Sequence, residues 1–141
     1  MIRDLRAFLQ KIESRGELVQ IDRPLDPRYE IGAICFTELQ QRGLEHNRAL
    51  LFKHVVGSKP PLAVNLVASP KRFYAALDVN DSREFRALWN QANQTLLPPA
   101  VVGKEEAPCQ QEILEGDEID LLKFSAPIWN EKDGGPFFDL P

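Results

Sequence analysis

Helix-period and strand-period hydrophobic patterns alternate along most of this chain, and that alternation is what most restricts its fold. Apolar residues recur at helical spacing between residues 5 and 12, which predicts a helix over residues 3–15. Val19 and Ile21 alternate with polar residues, which predicts a strand over residues 17–22. Because helices and strands keep alternating to about residue 105, we expect an α/β fold with a small mixed sheet flanked by about four helices.

Capping and turn residues set the bounds of the later elements. Asp26-Pro27 and Ser69-Pro70 each place a capping side chain before a proline at the first helical position. Asp81 and Glu84 have the spacing of a capping box. The resulting predictions are a helix from Asp26 with Ile31, Ile34, Cys35 and Leu39 on its apolar face and Gly43 at its end, a helix after Ser69 with Phe73, Tyr74 and Leu77 inside, a helix from Asp81 with Phe85, Leu88, Trp89, Ala92 and Leu96 as core residues, and strands over residues 49–54 and 62–68.

The pattern changes after Pro108. Residues 109–114 resemble a strand, residues 115–117 a turn, and residues 125–141 have no clear period. We therefore interpret residues 108–141 as the beginning of a different structural unit.

Charge is unevenly distributed along the chain. Residues 1–80 carry 12 Lys and Arg against 9 Asp and Glu, and residues 81–141 carry 5 against 12, for a net charge of −4. No basic stripe with interleaved aromatic residues is present, which argues against nucleic-acid binding. The acidic residues between Glu105 and Asp120 are typical of a solvated face.

The compartment follows from the start of the sequence and its cysteines. No signal-peptide pattern opens it, and no apolar run approaches the ~20 residues of a membrane span. Cys35 and Cys109 have no metal-ligand spacing, and Cys35 lies among apolar residues as a small buried side chain would. We expect a cytoplasmic protein with reduced thiols.

The residues that usually carry catalysis do not form a self-sufficient active site in this sequence. His46 and His54 have no partner at metal-ligand spacing, and no G-x-S-x-G sequence is present. Gly57-Ser58-Lys59 is followed by Pro60-Pro61, where a phosphate-binding helix would have to begin. We predict no catalytic, cofactor-binding or metal-binding residue in this chain.

Short motifs run in a fixed order along almost the whole sequence. They are Asp4-Leu5-Arg6-Ala7-Phe8-Leu9, Arg15-Gly16-Glu17-Leu18, Ile21-Asp22-Arg23-Pro24-Leu25-Asp26-Pro27, Glu30-Ile31-Gly32-Ala33-Ile34, Ala49-Leu50-Leu51-Phe52, Val56-Gly57-Ser58, Val64-Asn65-Leu66 with Ser69 and Arg72, Cys109-Gln110-Gln111-Glu112, Gly116-Asp117 with Ile119-Asp120-Leu121, Pro127-Ile128-Trp129 and Asp133-Gly134-Gly135-Pro136-Phe137-Phe138. Each motif is short, but the ordered set resembles the UbiD family of decarboxylases.

The resemblance implies an enzyme that reversibly decarboxylates aromatic or α,β-unsaturated acids with prenylated flavin mononucleotide, a divalent metal and potassium. The flavin supplies the electron sink, and the family's Glu-Arg-Glu network and metal ligands lie downstream of the Gly-Gly-Pro-aromatic motif, in a split-barrel domain. This sequence stops at Pro141, just inside that motif. The resemblance offers one residue, Leu140, as lining the substrate pocket of a full enzyme; the alternative is a strand residue left without a partner.

Three functions remain open. In the first, residues 1–107 are the N-terminal α/β domain of a UbiD-type decarboxylase and residues 108–141 are the linker and first strands of its truncated flavin domain, inactive alone. In the second, the chain is a natural small subunit that adds strands to a separate catalytic chain. In the third, it is an unrelated module that binds a small ligand at residues 57–61. Truncation predicts exposure or poor order of some of the apolar residues Val101, Val102, Phe124, Ile128, Trp129, Phe137 and Phe138.

Overall fold

The computed structural model describes residue 2, residues 4–95 and residues 98–133. Its elements are helix α1 (Leu5–Ser14), strand β1 (Leu18–Ile21), helix α2 (Glu30–His46), strands β2 (Ala49–Phe52) and β3 (Leu62–Val64), and helices α3 (Pro70–Leu77) and α4 (Ser82–Gln94). Four short 3-10 turns follow, at Lys104–Glu106, Pro108–Gln110, Gly116–Glu118 and Leu121–Lys123. The predicted small mixed sheet with four helices is confirmed.

The three strands form one sheet in the order β1-β2-β3. β1 runs parallel to β2, and β3 runs antiparallel to β2. Helix α2 covers one face, where Ile31 and Cys35 pack with Leu50. Helices α1 and α3 cover the other face, where Ala49 lies with residues of both helices. Adjacent strand residues enter different cores because successive side chains point to opposite faces of a sheet.

Helix caps are present at three helix starts, and those at Ser69 and Asp81 were predicted. Asp4, Ser69 and Asp81 are the N-cap residues of α1, α3 and α4, and each side chain accepts a hydrogen bond from a backbone N–H of the first turn. The carboxylate of Glu84 accepts from the backbone N–H of Asn80, at 2.7 Å, rather than from that of the N-cap residue. The capping box at α4 therefore exists with a shifted partner.

Helix α2 begins at Glu30, so the predicted start at Asp26 is wrong. The Asp26 carboxylate instead accepts a hydrogen bond from the backbone N–H of Arg28, at 2.7 Å, which forms a turn. Tyr29 then has a left-handed backbone with φ of 65°, a conformation that a right-handed helix excludes. The helix starts late because backbone groups between residues 25 and 29 bond to distant segments of the chain.

Two further left-handed residues shape the later elements. Gly43, predicted to end α2, has φ of 69° and ψ of 179°, and the helix kinks there before continuing to His46. Strand β3 ends at Val64, earlier than the predicted residue 68, because Asn65 has φ of 57° and turns the chain toward α3. Asparagine tolerates this conformation better than most residues do.

The buried face of α3 differs from the predicted one. Phe73 and Leu77, which the sequence places inside, are 38% and 39% exposed. The helix instead buries Arg72 and Ala75. The prediction is wrong because it treated a charged side chain as a surface residue.

The predicted core role of α4 is also wrong. The helix has no buried residue, and Trp89 on its apolar side is 59% exposed. Phe85 is half-buried, with its ring centroid 5.4 Å from that of Phe73. Leu96, predicted for the same face, lies outside the described residues. Helical spacing identified the apolar side of α4 correctly, but not what covers it.

Residues 109–114 do not form the predicted strand. A 3-10 turn occupies Pro108–Gln110. In the described residues no neighbouring strand pairs with residues 109–114, so their backbone groups have no sheet hydrogen bonds to form. Val101, at 97% exposure, Val102, Phe124 and Trp129 are exposed as predicted, whereas Ile128 is half-buried. Phe137, Phe138 and Leu140 lie outside the described residues.

A buried guanidinium joins the connections at one end of the sheet. Arg72, with no exposed surface, donates from Nη2 to the side-chain oxygen of Asn47 at 2.7 Å and to the carbonyl of Asn65 at 2.9 Å. Its Nη1 donates to the carboxylate of Glu17 at 3.0 Å and to the carbonyl of Asn47, and its Nε to the carbonyls of Asn65 and Leu66. We call this set of contacts the Arg72 hub. It connects the residues before β1, before β2 and after β3.

A second ion pair holds α2 against the sheet. The carboxylate of Glu38, 9% exposed, accepts from Nε and Nη2 of Arg48 at 2.9 and 3.1 Å and from its backbone N–H at 3.0 Å. Nε of Arg42 lies 3.2 Å from the same carboxylate. Hydrogen bonds from Arg48 lower the pKa of Glu38 below its usual 4.5.

We expect Arg72→Met to destabilise the protein by about 3–5 kcal/mol, because it leaves the buried acceptors of the Arg72 hub without their donor. Urea unfolding measures the change. Lys71→Met is the matched control, since Lys71 precedes it on the same helix and is exposed; its effect should stay within about 0.5 kcal/mol. A loss of under about 1 kcal/mol for Arg72→Met would contradict the hub.

We expect Glu38 to contribute to the acid sensitivity of folding. Its folded-state pKa is lowered, so its stabilisation is present above the usual 4.5 and is lost as pH falls through the lower folded value. Stability against urea between pH 6 and 2 should therefore fall less steeply for Glu38→Gln than for the unsubstituted chain. Glu45→Gln, at an exposed position of the same helix, should keep the original slope, and parallel curves for Glu38→Gln would argue against the role of the pair.

Candidate functional site

An open cavity of about 420 Å³ lies between α1, α3 and the start of α4, with the Arg72 hub at its side. Glu17 borders it, and the exposed residues Arg15 and Lys71 lie around it. The contacts of the hub engage every N–H of the Arg72 guanidinium. No donor of Arg72 is left for a ligand, so its role is to hold the fold.

A different contact brings the last described residues back onto the domain. The backbone N–H of Ile128 donates to the carbonyl of Pro27 at 3.0 Å, and that of Tyr29 donates to the carbonyl of Ile128 at 2.9 Å. These bonds form a parallel bridge between Arg28 and Ile128. We call this contact of residues 27–32 with residues 127–133 the junction. It forms beyond the carboxyl end of β1, at the opposite end of the sheet from the Arg72 hub.

Close packing of Gly32 against Trp129 completes the junction. A Cβ atom at Gly32 would lie 3.2 Å from Cε3 and 3.3 Å from the carbonyl oxygen of Trp129, closer than ordinary contact. The backbone N–H of Trp129 donates to the carboxylate of Asp133 at 2.9 Å, which fixes the turn beyond it. Tyr29 keeps a left-handed backbone here, which costs a non-glycine residue ~1–3 kcal/mol and needs surrounding contacts to hold it.

The loop predicted to bind a ligand contacts the chain itself. The hydroxyl of Ser58 lies 3.2 Å from the carbonyl oxygen of Lys123 and 3.3 Å from that of Pro60. Its single proton is donated to one of these two acceptors. A cavity of about 290 Å³ lies between this loop and residues 124–128. The Ser125 hydroxyl is buried there without a hydrogen-bond partner among the described residues. The loop therefore serves as a second attachment of the segment that forms the junction.

The remaining chemistry-bearing side chains do not converge. Cys35 is 6% exposed, and burial raises the pKa of its thiol to about 11, so it stays protonated at neutral pH. Cys109 is exposed. His46 is the last residue of α2, and His54 lies two residues after the end of β2. Across residues 4–95 and 98–133, no three His, Cys, Asp or Glu side chains form a group that could hold a metal ion.

Among the same residues, no helix combines the length and apolar character needed to cross a bilayer. The predicted pocket residue Leu140 lies beyond the described part of the chain.

Sequence patterns did not predict the residues on which the Arg72 hub and the junction depend. Asn65, Ser69 and Arg72 stand close together in one of the motifs that carry the resemblance. Gly32 stands in another and Trp129 in a third. Their presence in motifs was the available signal, but spacing along the chain does not show that Gly32 meets Trp129.

Two family models match the chain, and together they span most of it. Residues 9–91 match the 3-octaprenyl-4-hydroxybenzoate carboxy-lyase N-terminal domain. Residues 100–141 match the Rift-related domain of the same carboxy-lyase. The first match ends at residue 91, inside α4, and the second begins at residue 100, after that helix.

Solved structures of three UbiD-class or related decarboxylases resemble the chain. An evolved dimeric form of the UbiD-class enzyme HmfF from Pelotomaculum thermopropionicum, in complex with prFMN, is 29% identical with a TM-score of 0.77 over 94% of this chain. The open form of Sedimentibacter hydroxybenzoicus vanillic acid decarboxylase, with a truncated ShVdcD, is 26% identical with a TM-score of 0.84 over 96%. The apo 3,4-dihydroxybenzoic acid decarboxylase of Enterobacter cloacae is 26% identical with a TM-score of 0.77 over 96%.

This chain spans 29% of the length of each of those three proteins. The likeness therefore concerns one part of a larger molecule. Since the N-terminal-domain model alone matches residues 9–91 of 141, the chain belongs to the UbiD family of carboxy-lyases.

Proposed function

We propose that this chain is the N-terminal, non-catalytic part of a UbiD-like carboxy-lyase that decarboxylates aromatic or unsaturated acids. Residues 1–107 form its N-terminal α/β domain, and residues 108–141 are the linker and the start of the flavin-binding domain. The chain is inactive alone and works in the cytoplasm, joined to a catalytic UbiD domain. Prenylated FMN, with a divalent metal and potassium, is held by that domain.

The junction is the observation that carries this proposal. It joins residues 27–32, inside the match to the N-terminal domain, to residues 127–133, inside the match to the Rift-related domain. Backbone bonds in both directions and the Gly32–Trp129 contact fix where the second segment lies. The N-terminal domain thus provides a base against which a segment of the second domain is held.

The chain's own residues support a positioning role better than a catalytic one. Arg72, its most buried charged side chain among the described residues, has all its donors engaged. Cys35 is a neutral core thiol. General acid–base or nucleophilic chemistry needs a reactive group that reaches a substrate, and neither residue does.

A separate catalytic chain remains the second candidate. The exposed apolar side chains of Val101 and Val102 would suit a partner in trans as well as a domain in cis. The mass of the native polypeptide separates the two arrangements: a species near 16.0 kDa indicates a subunit, and a species several times larger indicates one continuous enzyme.

We expect no carbon dioxide release when the 141-residue chain alone is incubated with aromatic and α,β-unsaturated acids, prenylated FMN, a divalent metal and potassium. The polypeptide that carries the complete Rift-related domain, under identical conditions, is the positive control. Turnover by the isolated chain above that of a heat-unfolded sample would overturn the non-catalytic assignment.

We expect Gly32→Val to open the junction, because even a Cβ there is in unusually tight contact with Trp129 and valine adds two further methyl groups. Overpacking of about 1–3 kcal/mol corresponds to exchange of the amide protons of Ile128 and Tyr29 that is roughly 5-fold to 150-fold faster. Hydrogen exchange followed by NMR measures this. Ala33→Val, at the exposed neighbouring position of the same helix, should leave both amides protected, and equal protection in the two variants would refute the contact.

A further inference from the structure

Helix α4 is attached to the domain through one end of its apolar side. The Phe85 ring lies 5.4 Å from the ring of Phe73 and 6.3 Å from that of Tyr74, measured between centroids. Leu88 and Trp89, about one turn further along, are 36% and 59% exposed. A helix of this length is only marginally stable in water without a packed face. The apolar side of α4 therefore has room for a partner that the described residues do not supply.

An apolar groove continues this surface. Its volume is about 510 Å³, and it is open to solvent. Leu44 and Val67, on its walls, are 68% and 60% exposed. Phe73 and Phe85 line it as well, so the groove runs directly into the apolar side of α4. We call the groove together with Leu88 and Trp89 the α4 face. A contiguous apolar surface of this kind marks an interaction site more often than scattered single residues do.

The part of the family fold that begins after α4 is the nearest candidate for covering this face. Helix α4 ends at Gln94, and the match to the Rift-related domain begins at residue 100. The matched structures are much longer than this chain, which spans 29% of each. A second set of apolar side chains is exposed within the Rift-related match: Val101, Val102, Ile113, Leu114, Ile119, Leu121 and Phe124. One body of protein, the rest of that domain, would cover both sets.

We propose that the α4 face is the surface on which the remainder of the Rift-related domain docks, with Trp89 as the central anchor. This inference rests on the proposed function and names the contact through which the two domains hold each other. The occupant is an apolar surface of that domain, because the groove and the exposed side of α4 present mainly apolar side chains. The junction and the α4 face then contact the second domain at two separate places.

Shielding of Trp89 tests the proposal directly. Acrylamide quenching is measured on the 141-residue chain and on the polypeptide that carries the complete Rift-related domain. The signal of Trp89 is the difference between each protein and its Trp89→Phe variant, which leaves Trp129 and its junction intact. Trp89 should be readily quenched in the short chain and several-fold less in the long polypeptide. Equal quenching in the two would overturn the proposal.

Stability provides a second readout that does not depend on fluorescence. Trp89→Ala should lower the urea midpoint of the long polypeptide much more than that of the 141-residue chain, where the Trp89 ring packs beside Phe85 at 5.9 Å between centroids. Asn90→Ala, an exposed neighbour on the polar side of the same helix, should alter neither. An equal effect of Trp89→Ala on both proteins would overturn the proposal. So would a concentration-dependent dimer of the short chain that Trp89→Ala abolishes, because a second copy would then be the occupant.

These outcomes are distinct from failure of the proposed function. Carbon dioxide release by the short chain would remove the non-catalytic assignment without changing how Trp89 is shielded. Exposure of Trp89 in an active long polypeptide would remove the docking surface and leave the assignment standing.

Discussion

The rest of this structure depends on one buried cation. Arg72 lies at the end of the sheet where β1 and β2 begin and β3 ends, and its guanidinium bonds to the segments that make those three connections. Asn47 extends the network, since its amide donates to the carbonyls of Gly43 and Leu44 at the end of α2. An unpaired buried charge is so costly that the chain segments around it must keep their positions together.

The opposite end of the sheet is organised by backbone pairing instead. Past β1 and β2 the chain pairs again at Leu25 and Val55, and then at Arg28 and Ile128. The left-handed backbone at Tyr29 and the missing Cβ of Gly32 let the returning segment approach this closely. One end of the sheet thus stabilises the domain internally. The other end binds residues 127–133, which lie inside the match to the Rift-related domain.

Local signals predicted local structure well. The helix over residues 3–15, the strand over residues 17–22 and the caps at Ser69 and Asp81 depend on neighbours within one turn, and the structure has them with small shifts. The strand predicted for residues 109–114 failed because a strand needs a partner from elsewhere. The start of α2 failed because a capping signal at Asp26 competed with backbone bonds to His54 and Ile128, which sequence spacing cannot reveal.

By itself, the sequence determined the α/β class, the mixed sheet with its helices, and the family to which the ordered motifs pointed. The class and the sheet follow from hydrophobic periodicity, which acts over short stretches of chain, whereas the family follows from the resemblance that the ordered motifs carry. Only the tertiary structure decided that Arg72 is core, that Trp89 is surface and that Gly32 meets Trp129. The physical reason is that burial and close contact depend on which distant segments meet, and the character of a residue does not specify its partners.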